Sequence, residues 1–165
     1  MKKFKLTENS KVVDGITLHQ IQALKDFSNV KKGDLGGWIE KEENLSQDNN
    51  AQVSGDAWVF EDAQVYGDAR VSDNAQVYGD ARVSRNAWVS GNARVYESAW
   101  VSGNARVYDN AQVYGDAEVY GDAWVYGDAE VSDTLVYGDE RMGFIKRTDE
   151  REYREYLKLK DKFEK

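Results

Sequence analysis

The side chains with the greatest capacity for chemistry in this chain are acidic and aromatic, and they recur at a fixed interval. Between residues 111 and 140, Asp116, Glu118, Asp122, Asp128, Glu130, Asp133, Asp139 and Glu140 occur with no Lys or Arg among them. Tyr114, Tyr120, Trp124, Tyr126 and Tyr137 are interleaved with them. Carboxylates at this density suit two tasks. They hold cations, or they present negative potential to a basic protein. Aromatic side chains beside them supply contact area, as at protein interfaces. The nine-residue Gly-Gly-x-Gly-x-Asp pattern of calcium-binding β-rolls is absent, so no metal site is expected. The chain has one histidine, His19, and no cysteine, so thiol chemistry is excluded. No residue is assigned a catalytic role and no cofactor is expected. The candidate partner contacts are Tyr114, Asp116, Glu118, Tyr120, Asp122, Trp124, Tyr126, Asp128 and Glu130.

A second set is defined by spacing. Gln52, Arg70, Trp88, Arg106 and Trp124 lie 18 residues apart, as do Phe60, Tyr78, Tyr96 and Tyr114, and Asn74, Asn92 and Asn110. If residues 18 apart stack, the first set alternates guanidinium and indole, on the order of 0.5–1 kcal/mol per exposed pair. The second set is then an aromatic ladder, and the third an amide ladder of the kind seen in stacked sheets.

The element that would stack them is a six-residue repeat. Ala occurs at every sixth position from Ala51 to Ala129, and Val follows two places later from Val53 to Val131. Two residues apart in an extended strand point to the same side, so Ala and Val face inward together. The residue between them faces out. Gly-Asp, Gly-Asn or Asp-Asn then supplies a corner. Three such hexads close a triangular coil of 18 residues, with neighbouring coils paired as parallel strands ~4.8 Å apart. Residues 39–134 make a little over five coils, a rod of roughly 25 Å. The pattern predicts an all-β protein, a parallel β-helix with a dry core of Val on Val and Ala on Ala.

The ends depart from the repeat. Residues 1–38 are predicted to form an N-terminal β-rich cap, with Asp14-Gly15 as a hairpin turn. The β-helix is expected over 39–140. Residues 141–165 are expected to hold a closing strand at Met142–Ile145 and a C-terminal α-helix. Tyr153, Tyr156, Leu157 and Phe163 fall near helical spacing and are the candidate oligomer contacts.

Charge is uneven along the chain. Residues 51–140 carry five Arg against sixteen acidic side chains, a net of −11, between a neutral head and a basic tail. Direct nucleic-acid binding requires a basic surface, so it is not expected. The opening residues 1–8 are charged without an apolar run behind them, so no membrane contact and a cytoplasmic location are expected.

The Ala-x-Val-x-Gly-Asp hexads resemble the hexapeptide-repeat superfamily of left-handed β-helices. Leu35-Gly36-Gly37-Trp38-Ile39-Glu40, followed by Asn44-Leu45-Ser46, is similar to a group of bacterial and prophage-encoded members named as transferases. The resemblance implies a trimer. Its acyltransferases use acetyl-CoA and a repeat-borne histidine beside an inserted loop. Here His19 precedes the repeats, and no loop interrupts 51–131. The expected function is therefore a non-catalytic phage or prophage accessory protein. It would bind a host protein through the acidic, aromatic rod, as an inhibitor of a nucleic-acid-handling defence enzyme. The alternatives are an acetyl-CoA-dependent acyltransferase and a trimer holding a nucleotide-like small molecule between subunits.

Overall fold

The computed structural model describes residues 1–143. The expected C-terminal helix, with Tyr153, Tyr156, Leu157 and Phe163, lies outside the described residues.

Strands β1 (Phe4–Val13) and β2 (Ile16–Ala23) form an antiparallel hairpin. Asp14 and Gly15 turn it with φ of 50° and 82°, the conformation that an Asp-Gly pair adopts readily. Strand β3 (Leu35–Ile39) pairs antiparallel with β2 and, through its other edge, parallel with Trp58–Val59. It therefore serves the cap and the first coil together. Gly36 and Gly37 allow this close seating. A Cβ on Gly36 would lie 2.7 Å from the Val53 carbonyl oxygen, and one on Gly37 2.8 Å from that of Ala57.

From β3 onward the chain winds as a parallel β-helix of about six turns with three faces. The first face holds β3 and the strands from Trp58–Val59 to Glu130–Ser132. The second runs from Gln64–Val65 to Leu135–Val136, and the third from Gln52–Val53 to Arg141–Gly143. Each hexad contributes one short strand, because Ala and Val turn inward while the residue between them turns out. Register runs in steps of 18, as in Trp88 opposite Arg106. The Trp88 amide donates to the Ala105 carbonyl at 2.9 Å and the Ser90 amide to that of Val107 at 2.9 Å. Every repeat Ala and Val from Ala51 to Val131 is buried.

Two expectations are corrected. The core is not wholly apolar, because Lys3 and Asn44 are fully buried at the base of the rod. The first coil has no coil beneath it, so its backbone carbonyls need donors from elsewhere. Lys3 Nζ donates to the Ala51 carbonyl at 2.7 Å, and Asn44 Nδ2 to those of Glu61 and Ala63 at 3.0 and 2.9 Å. Burial lowers the Lys3 pKa to about 8. The rod also has about six turns rather than a little over five. Thr134 takes the place of the repeat Ala one residue early, so Leu135 stands opposite Glu118 after 17 residues instead of 18. The coil then continues, and Arg141–Gly143 is the sixth strand of the third face, while the rest of the expected closing strand, residues 144–145, lies outside the described residues.

Candidate functional site

Outward residues form continuous columns. Phe60, Tyr78, Tyr96 and Tyr114 stack with centroid separations of 5.0, 5.1 and 5.1 Å and planes within 7°. Burial, followed by the neighbouring Tyr78 and Tyr114, raises the Tyr96 pKa to about 12. Asn74 donates to Asn92 at 3.2 Å, Asn92 to Asn110 at 3.1 Å, and Asn110 to Asp128 at 3.0 Å. A second ladder, which the sequence reading missed, runs from Asn86 to Asn104 at 3.2 Å and on to Asp122 at 2.9 Å. Its signal was the recurrence of Asn or Asp just before Ala at the same 18-residue interval. Both ladders end on an Asp because each amide passes on a donor, and a carboxylate accepts without needing to donate further.

The Arg and Trp column is present and one residue longer than expected. Arg106 lies 5.7 Å from the Trp88 ring centroid and 5.3 Å from that of Trp124, and Arg141 lies 4.0 Å from the Trp124 ring. The 17-residue last step brings Arg141 into line. Trp88 Nε1 donates to Ser72 Oγ at 3.2 Å, fixing its indole.

The acidic and aromatic set near the end of the rod divides among the faces. Tyr114 and Glu130 belong to the first face, Glu118 to the second, and Trp124 and Tyr126 to the third. One coil carries the chain round the whole triangle, so residues contiguous in sequence form a belt. Asp128 and Asp122 terminate the amide ladders. Other acids of the rod are taken up by its corners. The carboxylates of Glu61, Asp73, Glu97 and Asp109 accept the backbone amides of Gly79, Gly91, Gly115 and Gly127, at 2.7, 3.1, 2.7 and 3.1 Å.

What the structure does bring together lies on the second face. Trp100, Glu118 and Leu135 are in register on consecutive coils, and Tyr120 stacks on Tyr137 at 5.8 Å. Trp100, Tyr120, Leu135 and Tyr137 are exposed by 38, 36, 51 and 53%. Asp116 precedes this face at one corner, and Asp122 follows it at the other. Trp100 was not among the expected contacts, and neither were Leu135 and Tyr137. The signal for the last two was an apolar or aromatic outward position after the repeat slips.

His19 sits in β2 opposite Ile39, away from this face. At the base of the rod, a cleft of about 280 Å³ lies between the 24–34 loop and the first coil, with Phe4, Ile21, Phe27 and Gln52 in its walls. No helix among the described residues is long and apolar enough to cross a membrane.

Residues 63–75, 75–91, 87–103, 99–115 and 111–127 match the family model described as the YdcK beta-solenoid repeat. No curated protein matches the chain. Overlapping matched repeats, stacked as parallel 18-residue coils, make this chain a β-helix repeat protein.

Proposed function

We propose that the chain is a non-catalytic binding protein that docks a basic partner protein on the last coils of its second face. The observation that carries this reading is the cluster of Trp100, Tyr120, Leu135 and Tyr137, exposed beside Asp116, Glu118 and Asp122. Large side chains held on a rigid sheet lose little freedom on docking. Acidic groups around them steer a basic partner and disfavour an acidic one. Proteins that handle nucleic acid carry such basic surfaces, so an inhibitor of one of them is the specific reading. The phage or prophage accessory setting rests on the resemblance of residues 35–46.

The test uses the full chain, immobilised and exposed to the heparin-binding fraction of a bacterial lysate. A retained protein should be released by salt and lost with the Asp116→Lys/Glu118→Lys double variant and with Tyr120→Ala. Asp80→Lys, on an earlier coil, should leave retention unchanged. Retention that survives the double variant and Tyr120→Ala overturns the proposal.

A further inference from the structure

The third face poses a separate problem. Its Arg70, Arg106 and Arg141 side chains stand on an otherwise acidic rod, yet among the described residues no carboxylate lies within ion-pair distance of them. Arg106 and Arg141 instead lie against indoles. Beside this column runs the corner column of Asn86, Asn104, Asp122 and Asp139. A partner for such a face must repeat at the same rise, or contacts made on one coil are out of step on the next. A second copy of this chain has that rise by construction.

We propose that the last four coils of the third face dock a second copy of the chain. The two rods would run antiparallel about a two-fold axis lying between the coil of Arg106 and the coil of Trp124. Both columns support this register. Reversing the outward column places Trp88 against Arg141 of the partner subunit and Arg106 against Trp124 of the partner subunit. Each guanidinium then meets an indole and no guanidinium meets another, as cation–π pairing requires. Reversing the corner column places Asn86 against Asp139 of the partner subunit and Asn104 against Asp122 of the partner subunit. Each Asn amide has two hydrogens. The ladder uses one, and the other is free to reach the facing carboxylate.

Other registers fail on the same residues. A parallel pair in register sets Arg106 on Arg106 of the partner subunit. An antiparallel pair centred one coil lower sets Asp68 against Asp122 of the partner subunit. Like charges directly opposite are destabilising. The chosen arrangement is isologous and closes as a dimer. Its footprint spans only four coils, roughly 19 Å along the rod, so the dimer forms at high protein concentration.

Sedimentation equilibrium of the full chain from micromolar to millimolar concentration should show monomer passing to dimer. Arg106→Glu should weaken the dimer roughly tenfold or more, because symmetry removes two contacts at once. The chain has no cysteine, so Asn104→Cys and Asp122→Cys can be made separately, mixed and oxidised. A disulfide-linked heterodimer should outnumber both homodimers. The arrangement is overturned by a chain that stays monomeric at millimolar concentration or forms a trimer. It is equally overturned by a dimer indifferent to Arg106→Glu, or by preferential linkage of position 104 to itself.

Discussion

Asn104 Nδ2 donates to Asp122 Oδ1 at 2.9 Å, across 18 residues of sequence and one coil of structure. Asn104 also accepts from Asn86 at 3.2 Å, so it is the middle member of a directional chain that ends on a carboxylate. The same construction recurs at the next corner, from Asn74 to Asp128. The turn residues of this rod therefore bond along its axis as well as turning the chain.

Removing the middle of that chain should cost more than removing its start. Asn104→Ala deletes two side-chain hydrogen bonds and Asn86→Ala deletes one. With exposed bonds worth about 0.5–1.5 kcal/mol each, urea unfolding should place Asn104→Ala below Asn86→Ala by roughly one such step. Equal midpoints would show that the second hydrogen bond of Asn104 adds no stability.

Glycine at the corners is required where coils approach most closely. Gly91 has φ of +65°, and a Cβ there would lie 2.9 Å from the Asp109 amide nitrogen. Gly91→Ala should therefore destabilise by about 1–3 kcal/mol. Asp109→Gly, one coil on, relieves a left-handed conformation at φ 58° and loses only the bond to Gly127. Its urea midpoint should stay near that of the parent chain.

The buried Lys3 makes stability depend on alkaline pH. Its folded pKa, lowered by burial to about 8, lies below the ordinary value of 10.5. Between these values the unfolded chain binds a proton that the folded chain has released, so stability rises with pH across that window. Below about 8 both states are protonated and the dependence vanishes. Comparing denaturant midpoints of the parent chain and Lys3→Met from pH 7.5 to 9.5 should show the parent gaining on the variant as pH rises. Parallel profiles would contradict the assignment.

The tyrosine ladder should show its geometry in a truncation series. Tyr96 stacks on both sides and Tyr114 on one. Each stacked pair is worth roughly 0.5–1.5 kcal/mol beyond burial. Thermal unfolding should rank Tyr96→Ala below Tyr114→Ala. The reverse order would assign the column's stability to something other than stacking.

Much of the architecture was legible because the inward code is so simple. Ala51 to Val131 repeats without interruption, and a period of six with turn residues at its end admits a stacked triangular coil. The three columns read at 18-residue spacing followed directly from that coil. The cap was legible only in outline. Asp14-Gly15 announced its turn, but Lys3 reaching the Ala51 carbonyl joins residues with no shared period. The candidate site was legible in composition and not in position. Acids clustered in sequence from Asp116 to Glu130 go round the rod, while Trp100 and Tyr137, 37 residues apart, come to one face.

What the sequence alone determined is therefore the coil, its core and the order of side chains along each column. Strand alternation and hexad length settle these locally. Tertiary structure decided which column each late residue joins, which acids are used in the rod's own hydrogen bonds, and how the open first coil is closed. The one-residue contraction at Thr134 shows why. It keeps Val131 and Val136 buried, yet it brings Arg141 onto the Trp124 ring and Leu135 beside Glu118. Register in a stacked coil is a sum over every residue of the preceding turn. Neighbours across coils are settled only when the whole turn has closed.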